Sequence, residues 1–145
     1  MNLNRHIKLI RKKIYIMISQ ELLPKFLYHA TPSSLYKQIC EDWAILPNSD
    51  TKIWSTSKNV IYLAIDPWMA KSYVEVGLDI YFEENQSDLF ASDEVVILEI
   101  PTASLDINSL EVDENNQSNY DGTFNEIMTY QYTNRIPISD TSIYN

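Results

Sequence analysis

Two tyrosines and a histidine occupy short segments that a fold can bring together around one ligand. Tyr62 lies in the apolar run Val60-Ile61-Tyr62-Leu63-Ala64, which has the length and composition of a strand. Asp66-Pro67 then supplies a good helix N-cap and first helical residue, and Tyr73 falls near the second turn of the helix they open. A strand, a tight turn and a helix fold back on themselves, so both phenol rings can flank one slot and stack on the faces of a flat aromatic ligand. Core packing is the competing reading, because the chain holds ten tyrosines. Upstream, Leu27-Tyr28-His29-Ala30-Thr31 reads as a second strand. Its imidazole can donate to or accept from a hydroxyl, or can make a purely structural bond. Thr31, two residues on, shares the strand face of His29 and serves either a ligand or the following turn.

The elements that must position these groups follow from the pattern of apolar residues. Residues 3–22 are expected to form a helix, with Ile7, Ile10, Ile14 and Ile18 on one face. Phe26 to His29 form the first strand, and a helix starting at Pro32-Ser33-Ser34 places Leu35 and Ile39 on one face. Trp43 to Leu46 is a short apolar stretch, and residues 48–59 form a polar loop carrying Trp54. Val60 to Ile65 is a strand, and the helix opened by Asp66-Pro67 is expected to stop at Gly77, with residues 78–93 irregular. Glu94 to Ile100, Leu110 to Val112 and Ile127 to Tyr132 are further strands, with a polar loop over residues 113–122. Ile136-Pro137 closes the last of these strands, and the tail adds one more short one. Strands in irregular alternation with a few helices fit an α+β domain with a split, largely antiparallel sheet.

Composition narrows the function classes. At 145 residues the chain suits one domain with a core of its own. Two glycines leave no material for a Gly-rich phosphate loop. A single cysteine, Cys40, excludes an intramolecular disulfide and a cysteine zinc cluster; on its helix it is expected to be a small buried apolar residue. The absence of a disulfide and of a secretion signal points to a cytoplasmic setting. Ile14 to Ile18 is too short a run for a membrane span. Residues 1–25 carry a net charge of +5, so the remainder carries −14 of the total −9. An acidic body of that kind repels phosphate backbones and argues against a broad nucleic-acid grip, while it suits a basic protein partner. The basic half of the first helix either binds a partner or membrane surface or packs on the domain with its lysines solvated, and the second reading is the simpler one.

The Leu-Tyr-His-Ala-Thr and Val-Ile-Tyr-Leu-Ala segments, with Tyr73 after them, resemble the ADP-ribosyltransferase fold in its histidine-tyrosine-glutamate branch. The likeness covers Phe26 to Ile136, which divides the chain into an N-terminal basic amphipathic helix over residues 1–24 and an ADP-ribosyltransferase-like domain over residues 25–145. It implies that NAD is the substrate, that His29 holds its ribose with Thr31 assisting, and that Tyr62 and Tyr73 sandwich the nicotinamide. It also implies a late catalytic glutamate. The matching stretch here is Tyr130-Gln131-Tyr132-Thr133-Asn134-Arg135-Ile136-Pro137, so Gln131 stands in that position. Glutamine keeps the shape and can bond a ribose hydroxyl, but it brings no charge to stabilise the cation formed when the nicotinamide–ribose bond breaks. Glu126, five residues away, faces the opposite side of a regular strand; Asp121 and Glu99 are weaker candidates, and Glu99 reads as a solvent-facing strand residue.

The resemblance therefore implies transfer of ADP-ribose to an acceptor that the sequence does not name, slowed by the missing charge. The alternative is a catalytically silent member of the fold that acts as a protein-binding or inhibitory module. A third reading, RNA 2'-phosphotransferase-like action, needs several arginines to seize a phosphate, and beyond the first helix only Arg135 is present.

Overall fold

A computed structural model describes residues 23–47, 59–85, 93–113 and 128–145. The expected helix over residues 3–22, Trp54, Asp121 and Glu126 lie outside the described residues. Among the described residues the chain runs β1 (Phe26–Pro32), α1 (Ser33–Asp42), β2 (Ala44–Ile45), β3 (Ile61–Ala64), α2 (Pro67–Asn85), β4 (Val95–Pro101), β5 (Leu110–Val112), β6 (Thr129–Tyr132), β7 (Ile136–Pro137) and β8 (Ser142–Ile143). Six of these strands form one sheet in the order β5-β6-β3-β1-β4-β8, and β2 pairs with β7 in a second. The pairings are antiparallel, giving the expected mixed α+β architecture.

The main sheet is held together unevenly. β1 pairs with β4 along its whole length, from Phe26 opposite Pro101 to Pro32 opposite Val95. β3 pairs with β6 over all four of its residues. Between these two blocks, β1 and β3 meet at a single register position, Tyr28 opposite Ala64. A continued ladder would set Ala30 opposite Tyr62; instead the strands part there.

Alternation along the strands sorts residues onto two faces. One face carries Leu27, Ile61, Leu63, Leu98 and Ile100, each nearly or fully excluded from water, packed with Ile39 of α1, Ile45 of β2 and Ile136 of β7. Burial of each such side chain contributes about 1.5–3 kcal/mol against the entropy of ordering it. The other face carries Ala30, Ala64 and Ile97, covered by Ala70 and Val74 of α2.

Both helix starts have identifiable causes. At α2, Asp66 Oδ1 accepts from the backbone N–H groups of Trp68 and Met69, at 2.8 and 3.2 Å, the N-cap bonds that the sequence predicts. At α1 the carboxylate comes from elsewhere in the chain: Asp93 Oδ2 accepts from the backbone N–H of Ser34 at 3.2 Å and from the Ser34 hydroxyl.

α2 continues eight residues past Gly77, contrary to the expected stop and to the expected irregular stretch beyond it. Ala70, Val74 and Gly77 lie on its buried side, where small residues allow close approach to the sheet. Leu78 and Tyr81 pack on the same cluster one turn further on. Their burial offsets the roughly 1 kcal/mol that an internal glycine costs a helix. Cys40 is exposed, not buried. The inward row of α1 is Leu35 and Ile39, and the next residue is rotated about 100° away from it.

Candidate functional site

The parting of β1 and β3 opens a cleft beneath α2. Its walls come from Tyr28, His29 and Ala30 of β1, Tyr62, Leu63 and Ala64 of β3, Ala70, Tyr73 and Val74 of α2, and Asp113 and Thr129 where β5 ends and β6 begins. The cleft is narrow and mostly apolar-lined, with a cavity volume of about 40 Å³ that rises to about 420 Å³ when the open mouth is counted.

His29 sits in the split. Its strand position is opposite Leu98, on the sealed side of the sheet, yet its ring reaches the neighbouring strand. His29 Nδ1 lies 2.9 Å from the main-chain oxygen of Tyr62. A carbonyl oxygen only accepts, so Nδ1 carries the proton, and in the neutral ring Nε2 is then an acceptor. The imidazole thus meets a carbonyl that a continued β1–β3 ladder would have met with main chain. The same bond fixes the orientation of the ring across the split.

Tyr62 is half-buried and Tyr73 is 37 % exposed, so both rings border the cleft and also reach solvent. Tyr62 is placed by β3, and Tyr73 by the turn of α2 that also buries Val74. Tyr28 closes the β1 side. Its hydroxyl donates to Glu99 Oε2 at 3.1 Å, and its ring meets the edge of Tyr144 at 5.6 Å. Burial, and then the Glu99 hydrogen bond, push the Tyr28 phenol pKa up. Glu99 is therefore half-buried and engaged by Tyr28, rather than simply facing solvent.

Gln131 lies directly opposite Tyr62 on β6 and directly opposite Glu111 on β5, so the three share a face of the sheet. It is 7 % exposed, and its Nε2 donates to Glu111 Oε2 at 3.1 Å. Gln131 and Thr31 are not among the residues that wall the cleft; Thr31 is sealed on the core side, opposite Val96. The structure thus brings His29, Tyr62 and Tyr73 together and leaves Gln131 behind Tyr62, one strand further from β1. Arg135 is exposed and is not among the residues that wall the cleft.

Asp113 is the functional candidate that the sequence reading passed over by assigning it to a polar loop. It is 2 % exposed and borders the cleft. Its Oδ2 accepts from Thr129 Oγ1 at 3.0 Å, and its backbone N–H donates to the Thr129 carbonyl at 3.2 Å. The signal was present in the two-residue period: Asp113 continues the face of Glu111 beyond β5.

Among the described residues, no group of histidine, cysteine and carboxylate side chains has the geometry to hold a metal ion. No described helix is long and apolar enough to cross a membrane. No family model, curated protein or solved structure matches this chain.

Proposed function

We propose that the cleft binds NAD and that the protein is an ADP-ribosyltransferase-like domain, transferring ADP-ribose to an acceptor still to be identified. The observation that carries this reading is the convergence of His29, Tyr62 and Tyr73, distant in the sequence, on one open cleft. Two phenol rings bordering a narrow slot suit a flat pyridine amide, and an imidazole acceptor beside them suits a ribose hydroxyl. The mostly antiparallel sheet, in which β1 and β3 meet only at Tyr28 and Ala64, is compatible with such a domain and supports the reading. Chemistry at this site requires the nicotinamide held flat, the ribose anchored, and negative charge near the sugar carbon as the bond to nicotinamide breaks.

One observation favours a second reading, a silent member of the fold acting as a protein-binding or inhibitory module. Gln131 is uncharged, and its amide is held by Glu111, away from the cleft wall. Calorimetric titration with NAD, coupled to an assay of released nicotinamide, separates the readings. Saturable binding with slow nicotinamide release is the expected result. Binding without release favours the silent module, turnover of NAD defeats it, and no binding at millimolar NAD by the folded protein defeats the NAD-binding reading.

A further inference from the structure

We infer that Asp113, not the residue at position 131, supplies the negative charge of the cleft. The inference rests on the NAD-binding reading and names the group that would serve its chemistry. Three observations favour Asp113 over the other acids near the site. It borders the cleft, whereas neither Glu111 nor Gln131 does. Its carboxylate is almost wholly withdrawn from bulk water, so its field acts on a ligand with little screening. Thr129 Oγ1 holds Oδ2 at 3.0 Å, which fixes one oxygen and thereby the direction of the group. Glu111, by contrast, is turned toward Gln131.

Apart from His29 and Thr129, the remaining wall of the cleft is apolar and aromatic, with Tyr28, Tyr62 and Tyr73 around Ala30, Ala64 and Val74. A carboxylate in the wall of such a slot matches a cationic aromatic ring by charge, and the pyridinium of NAD is one. In the reaction, the bond between ribose C1′ and the nicotinamide nitrogen breaks. Its electron pair neutralises the departing ring, and positive charge passes to the ribose. A nucleophile then forms the new bond to C1′ and gives up its proton to solvent. With water as the nucleophile, the products are ADP-ribose, nicotinamide and one proton. Asp113 is placed to hold the positive charge first on the ring and then on the sugar, as prearranged groups do at other charge-developing centres.

The test compares the full-length protein with its Asp113→Asn variant by NAD titration, nicotinamide release and melting temperature. Asparagine keeps an acceptor for the Thr129 hydroxyl and removes only the charge. The expected result is a fall in nicotinamide release of about a hundredfold or more, with NAD still bound and the fold intact. Should Asp113→Asn melt early, the isosteric pair Asp113→Glu and Asp113→Gln carries the same comparison: the acid is expected to turn over and the amide is not. Turnover in Asp113→Asn within about tenfold of wild type overturns the inference and leaves the NAD reading standing. Wild type that binds NAD without releasing nicotinamide overturns it in favour of a binding module. Wild type that binds no NAD removes the inference and the reading together.

Discussion

On one face of the main sheet, Leu27, Ile61, Leu63, Leu98 and Ile100 are excluded from water beneath α1, β2 and β7. On the other, the same strands present Tyr28, Ala30, Tyr62, Ala64, Thr129 and Gln131 toward α2. The first face is built mainly from branched aliphatic side chains that fill space, with Tyr130 and Tyr132 of β6 buried among them. The second mixes small residues, which leave room, with tyrosines and polar groups, which can be used. Stability is thus concentrated on one side of four-residue and seven-residue strands, and a narrow open cleft is tolerated on the other. His29 links the two: its backbone belongs to the packed side, and its ring reaches into the split.

The largest effect expected from this division is on the packed face. Leu98→Ala removes a fully buried side chain from the centre of the core and is expected to cost about 2–5 kcal/mol of unfolding free energy in a denaturant titration. A cost below about 0.5 kcal/mol, the range of a surface site, would break the distinction between the faces.

A smaller effect should appear at alkaline pH. Burial pushes the Tyr130 phenol pKa up from 10 to about 12. The folded state therefore holds the neutral phenol in preference to the phenolate. The resulting stability is fully present below pH 10 and is lost as pH rises through about 12. Stability of the wild type should fall over that window by on the order of 2 kcal/mol more than that of Tyr130→Phe, which has no proton to lose. Parallel pH profiles for the two proteins would show instead that Tyr130 reaches water in the folded state.

Much of the packed face was legible in the sequence, because Val, Ile and Leu at two-residue spacing have one simple use. Leu110 to Val112 was placed to the residue, and β1, β3, β4 and β6 were found with at least one end shifted by one to three positions; the pairing of β2 with β7 in a second sheet was not foreseen, Ile136-Pro137 having been read as the close of β6. Gly77 was misread because a local helix-breaking signal was weighed without the tertiary burial of Leu78 and Tyr81 that overrides it. Cys40 was misread from residue type, when its angle from Ile39 around α1 decides its exposure.

The cleft was legible in part. His29, Tyr62 and Tyr73 could be named because each sits on a recognisable element. Asp113 was passed over with the polar residues that follow it: the two-residue period puts it on the face of Glu111, but its bond to Thr129, sixteen positions later, arises only after β5 pairs with β6.

The central claim, that Tyr62 and Tyr73 hold one ligand between them, is tested most directly by titrating NAD into the wild type and the Tyr62→Ala/Tyr73→Ala double variant. Stacking on each ring is worth about 0.5–1.5 kcal/mol beyond buried area, so the double variant should bind NAD at least about tenfold more weakly, in a protein that is still folded. Equal affinity in the two proteins would contradict the account, since NAD would then be held somewhere other than between those rings.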